Sequence, residues 1–218
     1  IDIGGTNVKV KCSEGDEARR FPSGKELSAQ QMVDGVQELT KDWSYDVLTA
    51  GFPGPIVKGQ IVQEPVNLGK GWVGFDFTAA FGKPTRLIND AAMQALGSYE
   101  GGRMLFLGLG TGLGNALIIE GVIAPMELGH LPYKKKKTFE DYVGIRGLER
   151  LGKKKWQRAV YDVVSRLKAA LIVDYVVLGG GNAKKLTTLP EGCRLGNNEN
   201  AFIGGFRLWK EQETGGRE

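Results

Sequence analysis

Two short glycine–threonine segments contain the residue types that can hold phosphate. Asp2-Ile3-Gly4-Gly5-Thr6 opens the sequence, and Gly110-Thr111-Gly112 lies in its second half. In each segment, backbone N–H groups and a threonine hydroxyl at a tight turn form a concavity suited to phosphate oxygens. The carboxylate of Asp2 can also hold Mg²⁺, directly or through water. A single turn of this kind could be an ordinary hairpin, but two of them indicate a phosphate site.

The common nucleotide-binding fingerprints do not fit this sequence. The glycine-rich stretch 108–114 does not match G-x-G-x-x-G, and G-x-x-x-x-G-K-[ST] does not occur. A dinucleotide dehydrogenase and a P-loop enzyme are therefore disfavoured. The phosphate chemistry must be of another kind.

Asp90 is the candidate for a catalytic base. It follows a predicted strand over 85–88 and precedes a predicted helix over 91–99. Ligands of α/β proteins bind at the carboxyl ends of strands, where a carboxylate can take the proton of a hydroxyl that attacks phosphorus. An aspartate before a helix also commonly acts as its N-cap, and the position alone favours that role over catalysis.

The elements that must position these residues alternate between strands and helices. The patterns predict, in chain order, a hairpin over 1–11 and 17–21, a helix from the N-cap Ser28 to about 43, strands at 47–52, 60–66 and 85–88, a helix at 91–99, strands at 104–109 and 116–119, helices at 138–151 and 154–172, a strand at 175–178 and a helix at 201–209. This alternation predicts an α/β architecture. Each half opens with strand, glycine turn and strand, which favours two similar lobes, 1–101 and 102–218, with a cleft between them.

Composition agrees with a cytoplasmic globular protein. Of the 218 residues, 41% are hydrophobic and 25% charged, and 33 are glycines, roughly twice the average share. Cys12 and Cys193 form neither a metal-ligand spacing nor a disulfide framework. No apolar run is long enough to span a bilayer, and no signal-like start occurs. The net charge of +4 includes two lysine runs, 134–137 and 153–155, of a kind that suits a polyanion.

Seven segments in order resemble the ROK (repressor, ORF, kinase) family of sugar kinases and regulators within the actin-like ATPase superfamily. The segments are Asp2–Thr6, Gly51–Pro55, Asn67-Leu68 followed by Gly71-Trp72, Asn89–Ala91, Gly110–Gly112, Glu127–His130 and Leu178–Gly181. The resemblance implies an α/β, actin-like ATPase (ribonuclease H-like) fold with two lobes and a central cleft.

The same resemblance assigns roles to individual residues. Asp90 would be the catalytic base. The phosphate or nucleotide would be bound by Asp2, Gly4, Gly5, Thr6, Gly110, Thr111, Gly112 and an adenosine-type turn of Gly179, Gly180 and Gly181. The sugar would be bound by Asn67, Asn89, Glu127, His130, Glu140 and Gly54. Carboxylates, amides and an imidazole are natural partners of hexose hydroxyls.

One departure from the family concerns metals. Many ROK proteins carry a zinc-binding cysteine cluster after the histidine that corresponds to His130, but residues 131–139 contain no cysteine. Structural zinc sites need thiolate or imidazole ligands, so we expect no zinc. Mg²⁺ at Asp2 is the metal that the resemblance implies. Glu140 stands where the glutamate after that cluster would be.

Residues 138–156 and 201–209 resemble the polyphosphate glucokinase branch of the family. This branch implies phosphorylation of glucose at O6 with polyphosphate and/or ATP. A basic track for the polyphosphate chain would then consist of Lys134, Lys135, Lys136, Lys137, Lys153, Lys154 and Lys155. Without the family, a solvated surface would explain these lysines equally well.

Three alternatives stay open. An ATP-only ROK kinase could act on mannose, fructose or N-acetylglucosamine, because specificity depends on pocket geometry around one or two hydroxyls. A sugar-sensing ROK regulator would need a helix-turn-helix module ahead of the first phosphate hairpin, and the sequence leaves no room for one. A non-catalytic actin-like scaffold would not need the sugar-type residues. The expected protein is a homodimer with a small-molecule sugar and a phosphate donor as partners, and with neither nucleic acid nor membrane.

Overall fold

The first half of the chain is organised by a five-stranded sheet of order β3-β2-β1-β4-β7. In this computed structural model, which describes residues 1–15, 17–197 and 199–210, the strands of this half are β1 (Asp2–Ile3), β2 (Asn7–Lys11), β3 (Ala18–Pro22), β4 (Leu48–Phe52), β5 (Ile56–Val57), β6 (Gln60–Ile61) and β7 (Thr85–Asn89). β1, β2 and β3 pair antiparallel, whereas β1, β4 and β7 run parallel. The carboxyl ends of β1, β4 and β7 therefore share one edge of the sheet.

Three helices follow these strands: α1 (Ala29–Leu39), α2 (Phe77–Phe81) and α3 (Asp90–Ser98). The predicted N-cap of α1 is confirmed, because Ser28 and Gln31 form a reciprocal capping box. The core beside these helices is aromatic. The Trp72 ring is fully buried, with its centroid 5.4 Å from that of Phe52 and 6.2 Å from that of Phe77.

A second five-stranded sheet, of order β10-β9-β8-β11-β12, organises the later part of the chain. Its strands are β8 (Arg103–Leu109), β9 (Leu113–Ile119), β10 (Val122–Pro125), β11 (Tyr175–Gly179) and β12 (Cys193–Leu195). β8 and β9 form an antiparallel hairpin, and β11 runs parallel to both β8 and β12. The hairpin turn therefore lies at the same sheet edge as the carboxyl end of β11.

Two helices cover this second sheet: α4 (Glu140–Val143) and α5 (Ile145–Leu171). α5 is interrupted at Gly152, whose φ of 72° and ψ of 158° are not helical. The predicted apolar stripe is buried at Trp156, Val160, Val163 and Leu167. The indole of Trp156 donates to the carbonyl of Val143 at 2.7 Å, which ties α5 to α4.

The chain divides into two units by its internal contacts. The first unit comprises Ile1–Met93 together with the chain from Ala201, and the second comprises Gln94–Asn200. The helix α6 (Asn200–Lys210) thus groups mainly with the first unit, whereas the sequence had placed it in a unit spanning 102–218. The physical reason is Trp209: its indole donates to the Thr49 hydroxyl at 2.9 Å, and the Arg86 guanidinium lies 4.0 Å from its ring centroid.

Other differences from the predicted elements are local. The predicted strand at 60–66 is only Gln60–Ile61, and the helix expected to reach 43 ends at Leu39. Three short strands, Ile56–Val57, Val122–Pro125 and Cys193–Leu195, and the short helix Phe77–Phe81 were not predicted. In the part of the chain that the structure describes, no helix is long and apolar enough to cross a membrane.

Candidate active site

The first glycine turn joins β1 to β2 and is held closed from both sides. The Gly4 N–H donates to the Asn7 carbonyl at 3.0 Å. The Ser23 hydroxyl donates to the Gly4 carbonyl at 2.6 Å, and the Ser23 N–H donates to the Thr6 carbonyl at 3.0 Å. A Cβ on Gly4 would lie 2.9 Å from the Asn7 carbonyl oxygen. The turn therefore requires glycine at position 4 and keeps its backbone shape without a ligand.

Asp2 has a cationic partner that the sequence analysis missed. Asp2 and Lys9 are register partners across the hairpin, and the Lys9 ammonium lies 3.5 Å from the Asp2 carboxylate. The Asp2 side chain is 17% exposed. The signal in the sequence was the spacing of seven residues between Asp2 and Lys9, which makes them cross-strand neighbours in a tight hairpin. Lys9 places a positive charge beside the turn proposed to hold phosphate.

Asp90 lies at the same sheet edge as Asp2. Asp2 is in register with Gly51 of β4, and Gly51 is in register with Ile88 of β7. A Cβ on Gly51 would lie 3.6 Å from the Asp90 Cα. The start of α3 and the first glycine turn are thus brought together at the carboxyl ends of neighbouring parallel strands, where α/β proteins bind ligands.

Asn89, and not Asp90, acts as the cap of α3. The Asn89 side-chain oxygen accepts from the Ala92 N–H, three residues on, at 3.1 Å. Asp90 is the first residue of the helix, and its carboxylate accepts from the adjacent Ala91 N–H at 2.7 Å. The capping role that the position alone favoured for Asp90 is therefore filled by its neighbour.

Asn67 lies against the first glycine turn. Its Cβ is 3.2 Å from the position that a Cβ on Gly5 would take. The loop that carries Asn67 is held by Glu64, whose carboxylate accepts from the N–H groups of Gly71, Trp72 and Val73 at 3.2–3.3 Å. The sequence does not reveal this role of Glu64, because three convergent backbone donors leave no pattern in the chain.

Gly54 and Asn89 are bonded to each other. The Asn89 amide nitrogen donates to the Gly54 carbonyl at 3.1 Å. This bond, with the cap on α3, employs both ends of the Asn89 amide in positioning the backbone. Direct contact of Asn89 or Gly54 with a sugar stays a prediction.

The second glycine turn is held by the start of α5 and lies beside Glu140. The Ile145 N–H donates to the Gly110 carbonyl at 3.0 Å. Glu140 Oε2 lies 2.7 Å from the position of a Cβ on Gly112, and the Glu140 Cβ lies 3.5 Å from the position of one on Gly129. Glu140 therefore stands between the second phosphate turn and the segment that carries His130.

A buried asparagine positions that segment. Residues Leu128–His130 form a short 3₁₀ turn. Asn115, which is only 2% exposed, accepts from the Leu128 N–H at 3.2 Å and donates to the Leu113 carbonyl at 2.8 Å. Its signal in the sequence was a polar residue inside the apolar strand β9. Asn115 thus links Leu128 to Leu113 at the start of β9. The backbone between Glu127 and His130 is thereby fixed beside the second glycine turn.

The third glycine turn also contacts the second. Gly180 has a φ of 78°, and a Cβ there would lie 2.6 Å from the Leu109 carbonyl oxygen. Asn182 donates through its backbone N–H to the Leu109 carbonyl at 2.9 Å and through its amide to the Gly110 carbonyl at 3.2 Å. The second unit therefore brings Gly110–Gly112 and Gly179–Gly181 together.

Arg146 sets the charge around Glu140. Its guanidinium lies 3.0 Å from the Glu140 carboxylate and 3.2 Å from that of Asp141. The Thr138 N–H and hydroxyl donate to Asp141 at 3.0 and 3.1 Å. The hydrogen bond from the Thr138 backbone is the largest cause that holds the pKa of Asp141 below its ordinary value. The Thr138 hydroxyl and the charge of Arg146 lower this pKa further. Asp141 is therefore a fixed anion that orients Arg146 beside Glu140.

The first lysine run is the tip of a hairpin. The Tyr133 N–H donates to the Lys137 carbonyl at 2.8 Å, and Lys135 and Lys136 have φ values of 53° and 58°. The Lys134 ammonium is 3.1 Å from the Asp162 carboxylate. Lys134 is thus engaged in an ion pair within the protein, whereas Lys135 and Lys136 are exposed at the tip.

The second lysine run follows the break at Gly152. Lys153, Lys154 and Lys155 are exposed in the first turn of the helical segment that continues α5. The amino end of a helix carries partial positive charge, so cations there are unfavourable. This run therefore adds three exposed cations to the positive end of a helix dipole.

Potential metal ligands do not cluster in residues 1–15, 17–197 and 199–210. Within these ranges, no three His, Cys, Asp or Glu side chains come together as metal ligands. The expected absence of zinc stays a prediction, as does magnesium at Asp2.

Comparisons with known proteins give relatives in sequence and in fold. No protein-family model matches the chain. Polyphosphate glucokinase of Mycobacterium tuberculosis (strain ATCC 25618 / H37Rv) is 24% identical over 206 residues, which covers 85% of this chain and 77% of the relative. The inorganic polyphosphate/ATP-glucomannokinase of Arthrobacter sp. strain KM is 25% identical, with a TM-score of 0.80 and 97% of both chains covered. A ROK family glucokinase of Streptomyces griseus, in complex with glucose and AMPPNP, matches in fold alone, with 15% identity, a TM-score of 0.74 and coverage of 95% of this chain and 97% of that one.

The resemblance to the ROK sugar kinases of the polyphosphate glucokinase branch is confirmed. The predicted α/β, actin-like ATPase fold is confirmed as well. Of the residues that the ROK resemblance assigned, the first unit brings together the Asp2–Thr6 turn, Asn67 and Asp90. The second unit brings together Gly110–Gly112, Gly179–Gly181 and Glu140.

Proposed function

We propose that this protein is a hexose kinase that transfers a phosphoryl group from inorganic polyphosphate and/or ATP to O6 of glucose. The observation that carries the proposal is the position of Asp90, which lies at the same sheet edge as Asp2. Because Asn89 caps α3, Asp90 is not needed for that role. Relatives that are named polyphosphate glucokinase and polyphosphate/ATP-glucomannokinase support the choice of substrates.

Asp90 acts as the general base. The glucose hydroxyl oxygen attacks the terminal phosphorus of the donor while its proton passes to the Asp90 carboxylate. A new O–P bond forms, the bond between the terminal phosphorus and the bridging oxygen breaks, and the shortened donor leaves with that electron pair. Because little covalent chemistry remains for the protein, its further contribution is positioning and charge stabilisation.

The glycine turns hold the phosphates. The backbone N–H groups of Gly5, Thr6, Thr111 and Gly112, together with the two threonine hydroxyls, would donate to phosphate oxygens, and Lys9 adds a positive charge at the first turn. Asp2 suits Mg²⁺, because its side chain offers the carboxylate oxygens that this ion prefers and remains partly exposed. When bound, Mg²⁺ would neutralise charge on the phosphates.

The proposed sugar ligands form two sets, one in each unit. Asn67, with Asn89 and Gly54, belongs to the first unit, whereas Glu127, His130 and Glu140 belong to the second. Arg146 keeps the Glu140 carboxylate in place beside the second turn. A fixed carboxylate is a stronger hydrogen-bond acceptor for a hexose hydroxyl than a neutral group.

An ATP-only kinase of another hexose is the second candidate. It is favoured by the contact of Gly180 and Asn182 with the second phosphate turn, because an adenosine-type turn beside the phosphates suits a nucleotide. A sugar-sensing regulator is the third and weakest candidate. That the enzyme is a cytoplasmic homodimer, binds no zinc, and interacts with neither nucleic acid nor membrane stays a prediction.

A coupled assay that crosses glucose, mannose, fructose and N-acetylglucosamine with ATP and polyphosphate tests the proposal. We expect the highest turnover with glucose, and turnover with polyphosphate. The KM for polyphosphate should rise steeply with salt, by analogy with counterion release from nucleic acids, while the KM for glucose stays nearly constant. Turnover with ATP alone would favour the second candidate, and no turnover with any pair would overturn the kinase proposal.

A further inference from the structure

A groove of about 480 Å³ lies on the second unit, between α5 and the segment after the 3₁₀ turn Ala183–Lys185. Its described lining consists of Lys153, Lys154, Gln157, Arg158, Tyr161 and Thr187. Three of these six side chains are cationic and the other three are neutral and polar. None of the residues in this lining is acidic.

The floor of the groove is fixed by hydrogen bonds. Gln157 accepts from the N–H and the hydroxyl of Thr187 at 3.2 and 2.9 Å, and donates to the Tyr161 hydroxyl at 3.3 Å. The Tyr161 hydroxyl donates to the Thr188 carbonyl at 2.7 Å. These bonds tie the 187–188 segment to α5. The groove is therefore formed before any ligand binds, which lowers the ordering cost of binding.

In the described part of the chain, the cations of the groove differ from their neighbours in having no anionic partner. Nearby, Lys134 and Arg166 both pair with Asp162 at 3.1 and 3.2 Å. Among the described residues, Lys153, Lys154 and Arg158 make no such ion pair, and all three are exposed. Lys154 and Arg158 are also four residues apart on one helix, a spacing at which like charges repel. Positive charge is thus concentrated in a preformed concavity without compensation from the protein.

The groove is connected to the second phosphate turn through α5. The helix starts at Ile145, whose N–H donates to the Gly110 carbonyl, and Lys153 follows eight residues later. Eight residues of continuous helix span about 12 Å, and a kink at Gly152 divides this stretch. A phosphate chain that starts at the turn must extend well beyond it to reach the groove.

We infer that this groove binds the distal part of an inorganic polyphosphate chain whose reacting end lies at Gly110–Gly112. The inference rests on the proposed function and extends it, because it assigns Arg158, together with the Gln157–Tyr161–Thr187 floor, to donor recognition. It also assigns polyphosphate binding to the groove lysines but not to Lys134, whose charge Asp162 already neutralises. The groove selects for chain length: a long polyphosphate fills the turn and the groove, whereas ATP and tripolyphosphate fill the turn alone.

The test compares the double variant K154Q/R158Q with the control K58Q/K83Q, which removes two exposed lysines of the first unit. Calorimetric binding of long-chain polyphosphate and of tripolyphosphate is measured at several salt concentrations. We expect K154Q/R158Q to weaken long-chain binding by about tenfold, because two charge-assisted contacts are lost, and to lower the salt slope by roughly two. Tripolyphosphate binding and the KM for ATP should stay within about twofold of wild type.

Equal long-chain binding by the two double variants, or equal loss of long-chain and tripolyphosphate binding in K154Q/R158Q, would overturn the inference. So would tighter binding through Lys154 and Arg158 of a single-stranded RNA of matched length. These measurements need no turnover. A wild-type protein that binds long-chain polyphosphate through the groove but phosphorylates no hexose would support the groove and reject the proposed kinase function.

Discussion

The carboxylate of Glu140 reaches to 2.7 Å from the point where a Cβ on Gly112 would stand. This relationship joins two roles that the sequence had assigned separately, because Gly112 belongs to the second glycine turn, which is proposed to hold phosphate, and Glu140 is a proposed sugar ligand. The glycine at position 112 leaves the space that the Glu140 side chain occupies.

Gly112→Ala is therefore expected to impair sugar binding through Glu140. The new methyl group meets only the end of a flexible side chain and no backbone atom closer than 4 Å, so the melting temperature should barely change. Displacing one charged hydrogen-bond partner should raise the glucose Kd by about tenfold. Calorimetry in the absence of a phosphate donor measures this Kd.

Gly110→Ala is the matched control: a Cβ there meets nothing within 4 Å, and glucose affinity should stay the same. Unchanged affinity in Gly112→Ala would exclude Glu140 as a sugar ligand.

Asp90→Asn should abolish most turnover while glucose still binds. The amide keeps an oxygen that can accept from the Ala91 N–H but cannot take the hydroxyl proton. We expect kcat to fall by ~10²–10⁴-fold, measured in the coupled assay with saturating glucose. Asp76→Asn is the control, because Asp76 caps α2 in the same unit through a 2.9 Å bond to the Ala79 N–H. Similar kcat values in the two variants would refute the role of Asp90 as base.

The sequence predicted the local parts of this structure well. Ser28 marked the start of α1, and the apolar stripe from Trp156 to Leu167 marked α5, because caps and helical periodicity are set by neighbouring residues. The glycine–threonine turns were also visible, since each is a short local signal. The cap of α3 was assigned to neither Asn89 nor Asp90, because the choice depends on one hydrogen bond.

What the sequence could not predict depends on contacts between distant residues. The strand Cys193–Leu195 exists through its pairing with β11, and three residues leave no periodic pattern. α6 joins the first unit because Trp209 contacts Thr49, 160 residues away. In the site, Glu64 and Asn115 position the sugar-ligand segments through backbone bonds. Such residues differ from any other Glu or Asn only in their tertiary surroundings.

Asp162→Asn should reduce stability in a pH-dependent way. Hydrogen bonds from Tyr133, which is the largest cause, and from Lys134 and Arg166 hold the pKa of Asp162 below its ordinary value. A lowered folded-state pKa adds stability that is fully present above the unfolded value of about 3.9 and is lost as pH falls through the folded pKa. We expect Asp162→Asn to cost about 1 kcal/mol at pH 7, with the difference shrinking below about pH 4.

Urea unfolding from pH 7 to pH 3 measures this difference. Asp34→Asn is the control, because Asp34 accepts one exposed bond from Gln30 at 2.8 Å and should change the unfolding free energy by less than about 0.5 kcal/mol. A constant difference between wild type and Asp162→Asn across this pH range would show that the carboxylate charge does not contribute. Since Lys134 is released from its ion pair, polyphosphate binding should not weaken in Asp162→Asn.

Glu64→Gln should raise the KM for glucose without lowering kcat. Both oxygens of the Glu64 carboxylate accept from the three backbone N–H groups at 71–73. The glutamine amide has only one acceptor oxygen, and its NH₂ group would face these backbone N–H donors. The loop that carries Asn67 then loses its fixed position against Gly5, while Asp90 is unaffected. The loss of about 1–2 kcal/mol of charged hydrogen bonding corresponds to a rise in KM of roughly tenfold.

Val66→Ala is the matched control, since Val66 is in the same loop and 83% exposed, and its KM should equal that of wild type. A fall in kcat with unchanged KM in Glu64→Gln would contradict a positioning role for Glu64 and place its effect on the phosphoryl-transfer step instead.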